Sequence, residues 1–175
     1  KLFSEYGHTV GQVLVTGSDL GDGARYENFR NTLNRLIEMR VLPIINENDT
    51  VSTEEISLGD NDTLGAIVAV GANADLLILL SDIEGLYTSD PHVNSDASLV
   101  SAVYEIDEEL LSAAGGAGTA RGTGGMQTKL HAASICMENG IDMIIADGSR
   151  PTLLYDIADS KPVGTKFYGK KDGAK

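Results

Sequence analysis

The stretch that decides the fold is GDNDTLGAIVAVGANADLLILLSD, residues 59–82. It starts with the polar group Gly59-Asp60-Asn61-Asp62 and continues into apolar residues that predict a helix from Asp62 to about Ala72. The next apolar run, Asp75–Leu80, has the composition of a strand that is buried on both faces. A helix that leads directly into a buried strand is typical of α/β proteins, so the stretch predicts an α/β fold with a mainly parallel sheet.

The rest of the chain repeats this alternation of helices and strands. At 175 residues it is long enough for one domain with a real core, and we expect a single layered unit. Short apolar runs predict four further strands: Gln12–Thr16, Val41–Ile45, Ile141–Ala146 and Gly164–Phe167. Amphipathic or apolar periodicity predicts three further helices: Ala24–Met39, Met126–Asn139 and Pro151–Ala158. Val41–Ile45 lacks polar alternation, which predicts that both of its faces are covered.

Charge and cysteine content exclude several classes of function. The formal net charge is -13, which argues against nucleic acid as a partner because a phosphate backbone would be repelled. The one cysteine, Cys136, cannot form an intrachain disulfide, and this fits a reducing cytoplasm best. The sequence contains no apolar run of membrane-spanning length and no signal peptide, so we expect no membrane attachment.

Polar side chains follow the predicted strands where each strand ends. Asn46-Glu47-Asn48-Asp49 follows Val41–Ile45, and Ser81-Asp82 follows Asp75–Leu80. Ligands of open α/β sheets bind at the carboxyl ends of the strands, so we expect these groups on one edge of one sheet. The group Asp60-Asn61-Asp62 opens a helix, where one aspartate is enough to cap free N–H groups. The surplus polar side chains could face a cleft and bind a substrate amine, a metal or a lysine.

A glycine-rich segment precedes the helix predicted from Met126. Residues 115–125 contain six glycines, so the segment is either a mobile surface loop or a loop that closely approaches a ligand. Its end, Thr123-Gly124-Gly125-Met126-Gln127-Thr128-Lys129, has the form of a phosphate-binding helix start, although it does not match the P-loop pattern. Lys129 can lean back toward the helix start, where a phosphate would lie.

These groups together favour phosphoryl transfer, which depends on charge placement more than on covalent chemistry. In this interpretation Lys129 neutralises the transferred phosphoryl group and Asp62 orients lysines and a metal. Asn61 and Asp49 would hold the amine of the substrate.

Several runs, taken as a set, resemble the glutamate 5-kinases of the amino acid kinase family from about Tyr6 to Phe167. These runs are residues 43–49, 59–62, 80–87, 122–129 and 163–167. The resemblance implies a three-layer αβα sandwich, with ATP and Mg²⁺ as co-substrates and transfer of the γ-phosphate to the side-chain carboxylate of L-glutamate. It also implies a place in proline biosynthesis, feedback inhibition by proline and a homo-oligomer.

The resemblance carries roles to individual positions. Asp49 and Asn61 match glutamate-binding residues, and Asn46 and Asp60 lie near them in the sequence. Lys129 matches the catalytic lysine, and Asp62 matches the aspartate that organises the site. The nucleotide-binding segments correspond to Ser81, Asp82, Thr123, Gly124, Gly125, Met126, Gln127, Thr128 and Lys129.

The chain departs from the family pattern at its start. The family's first strand, its glycine phosphate turn and a second catalytic lysine have no counterpart here, so we expect the N-terminal part of the domain to be missing. On this basis residues 1–168 form the kinase domain and 169–175 a polar tail. Two alternatives stay open: a nucleotide-binding fragment that is inactive alone, and a related enzyme such as an acetylglutamate or aspartate kinase.

Overall fold

The chain is organised as two compact units. The structure is a computed structural model that describes residues 2–48, 60–89, 91, 93–108, 110–111 and 123–170. Unit 1 is Lys1–Asn73 and unit 2 is Ala74–Lys175. The described strands pair within two sheets, one of two strands and one of four. This differs from the single sheet that the sequence predicts, because the apolar periodicity of a strand carries no information about which strand lies beside it.

Unit 1 places helices beside a parallel pair of strands. Its elements are α1 (Leu2–Glu5), β1 (Thr9–Val15), α2 (Gly17–Gly21), α3 (Gly23–Glu38), β2 (Val41–Glu47) and α4 (Asn61–Gly71). The two strands run parallel, from Thr9 opposite Val41 to Val15 opposite Glu47. This register brings the carboxyl ends of both strands to the same edge.

The core of unit 1 forms between one face of this sheet and the helices. Val15, Phe29, Leu33 and Leu64 are buried together. Phe29 and Leu33 lie one turn apart on α3, so the helix presents one apolar stripe to the sheet. The side chains of β2 alternate in burial, with Leu42 46% exposed and Ile44 45% exposed. The prediction that both faces of β2 are covered is therefore wrong for the described residues, which pack against one face only.

Unit 2 has a mixed sheet with a strand buried at its centre. Its elements are β3 (Leu76–Ser81), β4 (Ala102–Val103), α5 (Thr123–Glu138), β5 (Asp142–Asp147), α6 (Leu153–Ala158) and β6 (Thr165–Phe167). The strand order is β3-β5-β6-β4. β5 runs parallel to β3 and antiparallel to β6. Met143, Ile145 and Ala146 of β5 have no exposed surface.

Cys136 lies buried on α5 and behaves as a small apolar core residue. Burial raises the pKa of its thiol to about 11, so the thiolate is disfavoured at neutral pH. None of the described helices has the length and apolar character needed to span a bilayer.

Most predicted elements are present with small shifts at their ends. β2 extends two residues beyond the prediction, so Asn46 and Glu47 lie within the strand rather than after it. α5 begins at Thr123, three residues before its predicted start, so the end of the glycine-rich segment is helical. Residues 112–122, which hold the remainder of that segment, lie outside the described residues. The predicted tail begins with Gly169 and Lys170, whose N–H groups donate to Asp142 Oδ1 and to the carbonyl of Met137.

Candidate active site

The carboxyl edge of the unit 1 sheet carries the polar end of β2. Asn46 is exposed and lies opposite Leu14 of β1, while Glu47 and Asn48 are half-buried. The N–H of Asn48 donates to the carbonyl of Val15 at 2.7 Å, which joins the ends of the two strands. Asp49, the next predicted substrate-binding residue, lies outside the described residues.

The three residues of the group Asp60-Asn61-Asp62 have different positions at the start of α4. Asp60 is the N-cap: its Oδ1 accepts from the N–H of Thr63 at 2.7 Å and its Oδ2 from the hydroxyl of Thr63 at 2.8 Å. Thr63 is buried, so this cap fixes the first turn against the core. Asn61 is exposed and Asp62 half-buried within that turn. One aspartate thus performs the capping, and Asn61 and Asp62 lie in the first turn as additional polar groups.

A second polar cluster lies at the same edge, after β1, and sequence reasoning missed it. Thr16 and Asp19 form a capping box on α2, in which the Thr16 hydroxyl donates to Asp19 Oδ2 at 2.7 Å and the Thr16 N–H donates to the same oxygen at 2.9 Å. Arg25 lies 3.1 Å from the other carboxylate oxygen. Hydrogen bonds from Thr16, with a smaller contribution from Arg25, lower the pKa of Asp19. The signal was available, because Thr-x-x-Asp before a helix is a capping pattern.

The carboxyl edge of the unit 2 sheet holds the first predicted nucleotide-binding group. Ser81 ends β3 opposite Asp147, the last residue of β5. The Ser81 hydroxyl donates to Asp82 Oδ1 at 3.0 Å, and the N–H of Gly148 donates to the carbonyl of Ser81 at 2.7 Å. A Cβ on Gly148 would lie 3.1 Å from that carbonyl oxygen, so glycine allows this close approach. Ser81 and Asp82 therefore share one edge with Asp147.

The second predicted nucleotide-binding group forms the first two turns of α5. Thr123, Gly124 and Gly125 are helical, and the hydroxyl of Thr128 donates to the carbonyl of Gly125 at 3.0 Å. The first N–H groups of a helix have no partner within the helix, and together with the helix dipole they favour an anion. Lys129 is half-buried in the second turn, with Met126 half-buried and Gln127 exposed before it.

A cavity of about 500 Å³ opens beside Asp147 in unit 2, and no sequence pattern predicts it. Arg150 lines this cavity, and its Nε donates to Asp147 Oδ2 at 3.0 Å. A terminal nitrogen of Arg150 lies 3.7 Å from a carboxylate oxygen of Glu84. Hydrogen bonds from Ser149 and then from Arg150 lower the pKa of Asp147. The remaining lining residues are Leu99, Leu153, Asp156, Lys161, Pro162, Val163 and Gly164.

The predicted site residues are distributed between the two units according to their predicted roles. Asn46, Asp60, Asn61 and Asp62, predicted to bind or organise the amino acid, belong to unit 1. The nucleotide-binding residues Ser81, Asp82 and 123–129 belong to unit 2. Within the part of the chain that the structure describes, no three His, Cys, Asp or Glu side chains are grouped as metal ligands would be.

The fold matches that of several solved kinases. A UMP kinase from Bacillus anthracis aligns with a TM-score of 0.63 and 14% identity, over 97% of this chain and 62% of that one. An isopentenyl phosphate kinase from T. acidophilum gives a TM-score of 0.62 and 19% identity, over 94% and 62%. A carbamate kinase from Giardia lamblia, bound to AMP-PNP, gives 0.59 and 20% identity, over 81% and 49%. The predicted α/β fold with mainly parallel strand pairing is thereby confirmed.

Sequence relatedness then gives the family. The model of the amino acid kinase family matches residues 1–147, so the chain belongs to the amino acid kinase family. It is 53% identical to the glutamate 5-kinase of Clostridium tetani over 95% of this chain and 62% of that protein. It is 52% identical to the glutamate 5-kinase of Photorhabdus laumondii over 97% of this chain and 46% of that protein. The chain thus spans about half to two thirds of the length of these curated relatives.

Proposed function

We propose that the protein to which this chain belongs phosphorylates the side-chain carboxylate of L-glutamate with ATP, giving glutamyl 5-phosphate, the first step of proline biosynthesis. The observation that carries this proposal is identity of about half to glutamate 5-kinases, extending over 95% of this chain in one relative and 97% in another. Identity at this level, distributed over nearly the whole chain, favours a shared reaction over a shared fold alone.

The reaction needs no general base. A glutamate side chain has a pKa of about 4.3, so its carboxylate is already ionised at neutral pH. One carboxylate oxygen forms a bond to the γ-phosphorus while the bond from that phosphorus to the bridging oxygen breaks, and ADP leaves with that electron pair. Two anions must therefore be brought together, and catalysis consists of positioning them and neutralising their charge.

The roles proposed for this chain's residues follow from that requirement. Lys129 neutralises the charge of the transferring phosphoryl group, and Asp62 orients the lysine side chains of the site. Asp49 and Asn61 hold the amino group of glutamate with Asn46 beside them. Asp60 completes this group, and its bonds to Thr63 keep the first turn of α4 in place.

The nucleotide is assigned to unit 2. The start of α5, Thr123–Lys129, would receive the phosphates, and Ser81 and Asp82 the adjoining part of ATP. The cavity beside Asp147 has room for a nucleoside and offers the apolar side chains of Leu99 and Val163 to a base. Mg²⁺ would enter bound to the ATP phosphates and partly neutralise them, as is usual for kinases.

A hydroxamate-trapping assay tests the proposed reaction. Full-length protein and the present chain are each incubated with ATP, Mg²⁺, hydroxylamine and one acceptor: L-glutamate, L-aspartate or N-acetylglutamate. We expect product with glutamate in the full-length protein. Product with aspartate or acetylglutamate alone would assign the chain to a different member of the family. Retained ATP binding without any product in the present chain would favour a nucleotide-binding fragment.

The role of Lys129 has its own test. We expect Lys129→Ala to lower kcat roughly 100- to 1000-fold with little change in the KM for glutamate, because its charge matters most in the transition state. Lys170→Ala is the matched control, because Lys170 is exposed in the same unit and outside the proposed site. A raised KM with unchanged kcat in Lys129→Ala would contradict the role.

Three further properties of the protein belong to the same proposal. We infer a cytoplasmic enzyme that forms a homo-oligomer and is inhibited by proline. Sedimentation of the full-length protein tests its assembly, and the rate of glutamyl phosphate formation with added proline tests the inhibition. A monomer at assay concentration would contradict the homo-oligomer, and a rate independent of proline would contradict the inhibition.

A further inference from the structure

Thr165 is a buried hydroxyl residue to which the proposed reaction gives no role. It opens β6 and has no exposed surface. Its hydroxyl accepts from the N–H of Leu86 at 2.8 Å and donates to the carbonyl of Val100 at 2.6 Å. Both hydrogen-bonding functions of the hydroxyl are thus used by backbone groups that are distant along the chain.

The two backbone groups belong to the two arms of one excursion from the sheet. Segment 82–88 leaves the sheet directly after Ser81, and the chain returns through 98–100. The arms are joined to each other, because Val100 N–H donates to the carbonyl of Leu86 at 2.8 Å and Thr88 N–H to that of Ser98 at 2.9 Å. Thr165 therefore ties both arms to β6, through Leu86 in the first arm and Val100 in the second.

Glycines bring segment 82–88 into direct backbone contact with this anchor. A Cβ on Gly85 would lie 2.5 Å from the Thr165 hydroxyl and 2.9 Å from its backbone nitrogen. Gly164 has φ +58, and a Cβ there would lie 2.8 Å from the carbonyl oxygen of Glu84. Because no side chain separates the two backbones, a change at Thr165 is transmitted directly to segment 82–88.

We propose that Thr165 is a positioning residue for nucleotide binding, acting by holding segment 82–88 in its binding-competent conformation. The inference rests on the proposed function, in which Ser81 and Asp82 contact ATP and Glu84 lines the adjoining cavity. An anchored segment does not have to become ordered when ATP binds, so the affinity for ATP is not reduced by the entropy cost of ordering it. Thr165 touches neither Ser81 nor Asp82 through any of its described hydrogen bonds, and it acts through Leu86 and Val100.

The test measures ATP affinity by calorimetry on the full chain with Mg²⁺ present. Thr165→Val keeps the shape of the side chain and removes the hydroxyl, so the Leu86 N–H and the Val100 carbonyl lose their partner. We expect the Kd for ATP to rise about tenfold, which corresponds to about 1.4 kcal/mol. Thr165→Ser keeps the hydroxyl and should bind ATP within about twofold of the parent.

Phe167→Leu is the matched control for lost stability. Phe167 lies two residues further along β6, on the same face, and is equally buried. We expect this variant to lower the melting temperature while its Kd for ATP stays within about twofold of the parent. Equal weakening by Phe167→Leu would show that general destabilisation is responsible and would overturn the inference.

A second variant, Thr165→Ala, keeps the test decisive if Thr165→Val does not fold. Thr165→Ala leaves space in which water can pair with the exposed backbone groups, so it should fold where Thr165→Val does not. Unchanged affinity in either folded variant overturns the inference, and so does failure of both to fold, since Thr165 would then be purely structural. Failure of the parent chain to bind ATP would instead contradict the proposed function on which the inference rests.

Discussion

Strands β2 and β5 are similarly apolar in sequence but are buried very differently. In β5, Met143 and Ile145 have no exposed surface, and Ile144 between them is 6% exposed. In β2, Ile44 is 45% exposed because it lies on the face opposite the core of unit 1. β5 lies between β3 and β6, whereas β1 is the described neighbour of β2. An apolar run therefore predicts a strand suited to burial on both faces, and the packing of other elements decides whether both are buried.

The edges of the two sheets differ in a related way. In unit 1, Asp19 and Asp60 both use their carboxylates to cap helices, at Thr16 and Thr63. In unit 2, Asp82 is exposed and accepts a hydrogen bond from the hydroxyl of the neighbouring Ser81. Asp19 and Asp60 thus stabilise the fold, while Asp82 is placed where a ligand can reach it.

The largest expected effect tests the comparison of the two strands directly. Ile145→Ala should lower the free energy of unfolding by roughly 2–5 kcal/mol, because it leaves a cavity in a fully packed core. Ile44→Ala is the matched control, and its cost should stay below about 1 kcal/mol, since much of that side chain is already in contact with water. Urea unfolding of both variants measures the difference. An equal cost would mean that the second face of β2 is covered in solution.

An intermediate effect tests the comparison of the two edges. Asp60→Ala should lower the free energy of unfolding by about 1 kcal/mol, the usual cost of losing an N-cap. Asp60→Ser should recover most of this loss, because serine caps helices as well as aspartate does. Asp82→Ala, the same change at the edge of unit 2, should cost less than about 0.5 kcal/mol. Thermal unfolding checks all three, and a large loss in Asp82→Ala would give that residue a structural role.

The sequence predicted those parts of the fold and site that depend on local pattern. The sequence predicts helices α3 and α4 to within one residue at each end. Their apolar spacing and the polar residues at their starts are both local patterns that can be seen in the sequence. The question of whether Asp60, Asn61 and Asp62 cap a helix or face a ligand could not be answered from sequence, since each of them is chemically able to cap. The observed bonds from Thr63 to Asp60 answer the structural half of that question.

Features that depend on distant residues could not be predicted. The cavity beside Asp147 is lined by residues from 84 to 164, and the anchor at Thr165 joins groups 79 residues apart in sequence. Neither has a local pattern, because each forms only when strands from different parts of the chain pair. The difference at the start of α5 has a local cause. Consecutive glycines favour a loop over a helix, so the sequence around Gly124 and Gly125 predicts a loop where the first turn of α5 forms.

The smallest expected effect concerns pH and the capping box of unit 1. Hydrogen bonds from Thr16 hold the pKa of Asp19 below its ordinary value of 3.8. The ionised carboxylate therefore stabilises the folded state above the unfolded pKa, and this contribution is lost as pH falls from about 4 through the lower folded pKa. We expect Asp19→Asn to reduce the fall in unfolding free energy between pH 5 and pH 2 by less than about 1 kcal/mol, because the pair is partly exposed to solvent. Thr16→Val should have nearly the same effect and add little in the double variant, since Thr16 is the main cause of the pKa shift. Fully additive effects in urea unfolding across this pH range would show that the two residues stabilise α2 independently and would remove the capping box as the origin of the acid sensitivity of unit 1.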